Sequence, residues 1–204
     1  MIHIIDYGLG NVQAFENMYK RLGFEVTRAK SADNLENAKK LILPGVGAFD
    51  HAIDLLNASG MRDTLENLVI AKKAPVLGIC VGMQILANSS DEGMREGLGW
   101  VPGKVHSFNS HELGNNYPLP HMGWNDVIPS NGSPLFKGME EKSRFYYLHS
   151  FYFECESTGH SAAKSSYGIE FDAAVQNNNI FGVQFHPEKS HHWGAQLLKN
   201  FAEL

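Results

Sequence analysis

Pro75-Val76-Leu77-Gly78-Ile79-Cys80-Val81-Gly82-Met83-Gln84 changes character partway along: a short, nearly all-apolar run stops at a cysteine set between glycines, and Met83, Gln84, Ile85 and Leu86 continue as a helix. An apolar run of this kind reads as a strand covered on both faces, the habit of parallel sheets. Toward the amino terminus, Ile2 to Ile5 form a strand, Gly8-Leu9-Gly10-Asn11 a turn, and Val12, Phe15, Tyr19 and Leu22 recur at helical spacing. Phe24-Glu25-Val26-Thr27 and Leu41-Ile42-Leu43 are further strands, and residues 48–73 read as helix with a break at Gly60. The order β-α-β-β-α-β-α predicts an α/β fold with a mostly parallel central sheet flanked by helices. After residue 100 short β-like segments take over, among them Phe145 to Phe153 and the alternating Phe181, Val183 and Phe185, giving a β-rich second half. Trp193, Leu197, Leu198 and Phe201 close the chain on one helical stripe.

The 204 residues are 43% hydrophobic and 19% charged, which suits one domain over 1–204 with a sizeable core and excludes intrinsic disorder. Seventeen Lys plus Arg against 22 Asp plus Glu leave a net charge of −5. The adjacent basic pairs, Lys20-Arg21, Lys39-Lys40 and Lys72-Lys73, make no nucleic-acid footprint. The amino terminus lacks a signal-peptide pattern and no apolar run approaches the ~18 residues of a membrane span, so a cytoplasmic protein is expected. In that compartment Cys80 and Cys155 do not form a structural disulfide, and each is either buried filler or chemistry.

Between a strand and a helix, Gly78-Ile79-Cys80-Val81-Gly82 has the form of a nucleophile elbow with cysteine in place of serine. Such a turn strains its central residue, and the flanking glycines let strand and helix pack closely. Backbone N–H groups at the helix start favour the thiolate. The alternative is a small core cysteine. A thiol nucleophile needs a base, and Phe185-His186-Pro187-Glu188 supplies one. In an extended segment residues two apart share a side, so Glu188 can hold one nitrogen of His186 while the other takes the thiol proton. Pro187 is expected to keep the segment out of a helix, and Lys189 to face away from the thiol. Pro44-Gly45-Val46-Gly47-Ala48-Phe49 follows a strand, and its N–H groups, with that of Val81, can form an oxyanion hole. Separately these are an ordinary turn, a strand end and a surface charge; together they describe acyl transfer to a cysteine.

Gly78-Ile79-Cys80-Val81-Gly82-Met83-Gln84 with Phe185-His186-Pro187-Glu188-Lys189-Ser190 resembles the class I, triad-type glutamine amidotransferases. Within them the chain is similar from end to end to the glutaminase subunit of imidazole glycerol phosphate synthase. The segments that carry this are Ile4 to Asn11, Leu43 to Phe49, Pro120-His121-Met122-Gly123-Trp124-Asn125, Tyr147-Leu148-His149-Ser150-Phe151 and His186 to Ser190, in the expected order. The resemblance implies Cys80 as nucleophile, His186 as base and then acid, and Glu188 as its orienter. It places Gln84 and Ser150 near the substrate L-glutamine and Gly47 in the oxyanion loop. The implied reaction releases ammonia and hydrolyses a glutamyl thioester, with no metal and no organic cofactor. No second domain for an ammonia acceptor is visible, so ammonia passes to another chain. In the family that partner is a (β/α)8-barrel cyclase subunit, joined as a heterodimer in histidine biosynthesis. Asn11, Trp124, Asn125 and Lys189 fall in the segments that face it, Trp124 in a loop bounded by Gly and Pro.

Three features depart from the family: Phe151 stands where an aromatic hydroxyl is usual, Val81 where Leu is, and His191-His192-Trp193 replaces a smaller, Gly-rich start to the last helix. They also resemble a paralogous branch that supplies ammonia for amino sugars of bacterial surface polysaccharides. A zinc hydrolase built on His186, His191 and His192 lacks any H-E-x-x-H or paired-cysteine spacing. A degenerate scaffold would lack a triad member, and all three are present.

Overall fold

The computed structural model describes residues 1–109, 113–114, 116–130, 132–139 and 143–204. Its first half is the predicted alternation. Strands β1 (Ile2–Ile5), β3 (Leu41–Gly45) and β4 (Val76–Cys80) are buried throughout, as strands covered on both faces must be. With β2 (Val26–Ala29) they run parallel in the order β2-β1-β3-β4. Helices α1 (Val12–Arg21), α2 (Phe49–Ala58) and α3 (Arg62–Glu66) connect them, α3 continuing into a π turn over Asn67–Ala71.

The second half is antiparallel save where it joins the first and where its two-residue first strand pairs parallel with the next. The remaining strands are β5 (Ser89–Ser90), β6 (Gly103–Ser107), β7 (His121–Pro129), β8 (Ser143–His149), β9 (Phe151–Cys155), β10 (Ser161–Tyr167), β11 (Ile169–Asn177) and β12 (Ile180–Val183). β12 lies parallel to β4, and the sheet then runs β12-β11-β10-β7-β8, with β9 bridging β11 to β6. The α/β class with a β-rich second half is therefore as predicted.

Local differences have local causes. β2 starts at Val26, two residues later than predicted, because Phe24 completes the end of α1. The Phe24 N–H donates to the Tyr19 carbonyl at 3.0 Å, the Gly23 N–H to Lys20 at 3.2 Å, and the Phe24 ring meets Tyr19 edge-on. The helix after Cys80, α4 (Val81–Gln84), is a single turn. The carbonyls that would continue it are taken by the returning chain: Leu98, Val101 and Gly99 donate to Ile85, Leu86 and Ala87 at 2.8 to 3.1 Å. Phe145 to Phe153 is two strands broken at Ser150, β8 pairing with β7 and β9 with β6. The last helix, α5 (His191–Glu203), buries Leu197, Leu198 and Phe201.

The tightest passage is at α4. A Cβ at Gly82 would overlap the Leu43 carbonyl of β3, and one at Gly78 would overlap the Gly82 carbonyl. Both neighbours are backbone and cannot rotate aside. Gly82→Ala is therefore expected to destabilise the protein by about 3 kcal/mol through overpacking, read as a lowered midpoint of denaturant unfolding.

Candidate active site

Cys80 ends β4 with φ +55° and ψ −114°, a conformation costly for an L-residue. Such strain, about 1–3 kcal/mol, persists only where neighbours over-determine it. Here the pairing of Cys80 with Gly45 and the glycine contacts of the turn do so. The side chain is buried, with Sγ 4.0 Å from the Leu148 carbonyl and 3.8 Å from Gln184 Nε2.

β12, lying beside β4, delivers His186 to the same edge of the sheet. Its N–H donates to the Tyr146 carbonyl at 2.8 Å. Ser190 locks that junction, its Oγ donating to the His186 carbonyl at 2.6 Å and accepting the Tyr146 N–H at 3.0 Å. Nδ1 of His186 lies 2.9 Å from Glu188 Oε1, both side chains 3% exposed. Pro187–Lys189 forms a 3-10 turn, not the extended segment predicted. Proline is compatible with the first position of a turn, where its missing N–H costs nothing. The turn still brings Glu188 to His186, and it leaves Lys189 exposed with Nζ 5.6 Å from the centre of the Tyr146 ring. Burial pushes the His186 pKa down, but hydrogen bonds to Cys80 and Glu188, and the charge of both, outweigh it and hold the imidazole well above its usual range. The imidazole therefore keeps its proton when it faces a thiolate.

A cavity of about 270 Å³ opens above Cys80. Gly47, Val81, Gln84, Ser150 and His186 line it, so the sequence candidates for chemistry and substrate converge. Gly47 has φ +102° at the exposed rim, and Val81 is buried in the first turn of α4. Gln84 Nε2 donates to the Phe151 carbonyl at 3.1 Å and to Gln184 Oε1 at 3.0 Å. Glu92, Leu148 and His149 also line the cavity, and none of them is assigned a role in the site from the sequence. Glu92 Oε2 accepts the Phe49 N–H at 2.8 Å and so caps α2 directly after the glycine loop. Nothing local in the sequence marks Glu92 or Gln184, because their partners lie far along the chain.

The four partner-facing candidates lie elsewhere. Asn11 is exposed and caps α1, its Oδ1 accepting the Ala14 N–H at 3.2 Å. Trp124 is not in a loop but within β7, 41% exposed, stacked on His191 and edge-on to Tyr146. The flanking Gly123 sits in the strand itself at φ +128°. Asn125 is half-buried, its Nδ2 donating to the Ser166 carbonyl at 2.8 Å and lying 3.2 Å from His121 Nε2. His186, His191 and His192 do not converge: His191 stacks on Trp124, and His192 lies tilted against Trp193. Among the described residues no group of three His, Cys, Asp or Glu could hold a metal ion. Cys155 is unpaired and lies in β9; its N–H donates to Asp172 Oδ2 at 2.9 Å, and burial, then the Asp172 charge, push its thiol far up.

Residues 3–204 match the family described as Glutamine amidotransferase class-I. Among curated proteins, the chain is 61% identical over 204 residues to the imidazole glycerol phosphate synthase subunit HisH of Bdellovibrio bacteriovorus, covering all of both chains. It is 50% identical, again over the full length of both, to the subunit of the same name from Leptospira interrogans. Of solved structures, a glutamine amidotransferase superimposes with TM-score 0.77 at 19% identity, covering 99% of this chain and 97% of the other. PurLQS from Thermotoga maritima does so at 0.75 and 21%, covering 99% and 97%. These last two speak for the fold alone. An elbow cysteine over a cavity, in a chain that aligns with HisH proteins from its first residue to its last, belongs to the class I glutamine amidotransferases and, within them, to the HisH family.

Proposed function

We propose that the chain is the glutaminase subunit of an imidazole glycerol phosphate synthase, freeing ammonia from L-glutamine through Cys80, His186 and Glu188 and passing it to a (β/α)8-barrel cyclase in a cytoplasmic heterodimer. The observation that carries this reading is the meeting of strained, buried Cys80 with the His186–Glu188 pair at one cavity. The relatives' names favour histidine biosynthesis over the amino-sugar branch.

Cys80 Sγ attacks the carbon of the glutamine side-chain amide, and the oxygen takes the negative charge, held by the N–H groups of Val81 and the Gly47 loop. His186 gives its proton to the amide nitrogen, the C–N bond breaks, and ammonia leaves a glutamyl thioester on Cys80. His186 then takes a proton from water, the hydroxide attacks the thioester, and glutamate departs as the thiolate re-forms. Glu188, on Nδ1, keeps Nε2 aimed at the thiol throughout. Neither a metal nor an organic cofactor is needed for these steps. Gln84 and Ser150 shape the wall for the substrate, and the carboxylate of Glu92 suits its ammonium group.

For the partner, the outer face of the β7–β8 hairpin offers Met122, Trp124, Ile128 and Leu148, 65, 41, 56 and 39% exposed. A row of apolar side chains rimmed by Lys189 fits an interface better than open water. Docking there, close to the Val46–Gly47 rim, gives the partner a means to align the oxyanion loop, so the lone subunit is read as a poor glutaminase.

Cys80→Ala is expected to abolish glutamine-dependent synthesis by the complex while ammonia-dependent synthesis continues; glutamine use near the original rate would refute the assignment. Glu188→Gln should cut kcat about a hundredfold. Removing a contact that raises the His186 pKa lowers it, so the alkaline limb of the kcat/KM–pH profile should move to lower pH in that variant. Trp124→Ala and Lys189→Ala should weaken stimulation of glutaminase activity by the acceptor while thermal unfolding of the subunit changes little. The half-exposed Trp124 ring is worth less than the about 3–5 kcal/mol of a core tryptophan. A large drop in midpoint with stimulation intact would make these residues structural.

A further inference from the structure

Two imidazoles from the Pro120–Asn125 and Tyr147–Phe151 motifs have no part in the thioester chemistry. His121 and His149 are a cross-strand pair of β7 and β8, 3% and 6% exposed. His121 Nδ1 lies 2.8 Å from His149 Nε2, and His149 Nδ1 lies 2.7 Å from the Phe151 carbonyl oxygen. The His121 ring is held between those of Tyr147 and Tyr167, with centroids 4.6 and 4.0 Å away.

These contacts allow one arrangement of protons. The Phe151 carbonyl can only accept, so His149 carries its proton on Nδ1. With both rings neutral, His149 Nε2 is an acceptor and His121 must donate from Nδ1. That leaves His121 Nε2 as an acceptor for Asn125 Nδ2, whose second hydrogen goes to the Ser166 carbonyl. Beyond the pair, the same Phe151 carbonyl accepts from Gln84 Nε2, Gln84 donates to Gln184, and Gln184 Nε2 approaches Cys80 Sγ. Every hydrogen bond from Asn125 to the Phe151 carbonyl thus points the same way. The bond from His149 to Phe151 also closes the bend at Ser150, where β8 gives way to β9.

We propose that His121 and His149 form a neutral positioning pair that ties strand β7, which carries Trp124, to the glutamine-binding wall made by Gln84, Ser150 and Phe151. The inference rests on the glutaminase reading for its kinetics but not for its proton arrangement. Neither ring touches reacting atoms; the pair acts by holding the Phe151 carbonyl and the Ser150 bend in place. Burial supports neutrality, pushing His121 down to about 4 and His149 to about 3, with repulsion from His121 and His186 adding to the latter. The titratable groups around the pair are the phenols of Tyr147 and Tyr167 and the imidazole of His186.

The test sets two substitutions of His121 against each other in the intact complex. His121→Phe keeps a ring between the tyrosines but cannot donate to His149; His121→Asn loses the ring but keeps a donor where Nδ1 stood. The Phe variant should raise KM for glutamine about tenfold with kcat little changed, and the Asn variant should stay within about threefold of wild type. Thermal stability should rank the other way, Phe above Asn. If KM instead follows stability, or neither variant moves it, the pair is structural filling and the proposal falls. Should either variant fail to fold, ¹⁵N NMR of the histidine-labelled wild-type complex decides without turnover. Both rings should be neutral with the proton on Nδ1 from pH 8 to pH 5, and an Nε2 proton on either would overturn the arrangement even if the glutaminase assignment stands.

Discussion

Backbone meets backbone where α4 crosses β3, and the rest of the site depends on that contact. Gly82 rests on the Leu43 carbonyl with no space for a methyl group, and Gly78 beneath Gly82 is equally confined. The chain leaving β4 has one way to turn, and that way puts Cys80 at φ +55° with its side chain at the cavity. Because β3 and β4 are parallel, the Gly45–Gly47 loop leaves its strand at the same edge as Cys80. Loop and thiol are thus neighbours by topology before any side chain contributes.

The antiparallel half supplies what the parallel half cannot. β12 runs parallel to β4 and carries His186 to the same edge, where the bridge to Tyr146 and the two hydrogen bonds of Ser190 fix it. The switch of strands at Ser150 turns one continuous aromatic segment into a corner facing the cavity. Ser150, Phe151 and His186 therefore hang from the antiparallel half, and Cys80, Gln84 and the Gly45–Gly47 loop from the parallel one.

Features written in local periodicity were legible in the sequence: the buried strands, the glycine-framed elbow, the loop after β3 and the His186–Glu188 spacing. Features set by distant partners were not. Phe24 has the composition of a strand residue, yet it is spent closing α1 against Tyr19. Helix α4 stops after one turn because residues far ahead claim its carbonyls. Trp124 lies between turn-forming residues, yet pairing with Tyr146 makes it part of a strand. Pro187 reads as a guard against helix, but it opens a turn. Glu92 and Gln184 acquire meaning only from contacts made across the fold.

The two thiols live in opposite environments. Cys155 is half-buried in β9 beside the Asp172 carboxylate, where the uncharged thiol is strongly favoured. A protonated thiol reacts slowly with alkylating reagents, whose partner is the thiolate. Cys80 lines the cavity together with His186. A fluorophore or spin label carried on a small iodoacetamide would accordingly attach at a single position in the unaltered protein, giving a reporter inside the cavity without removal of the second cysteine.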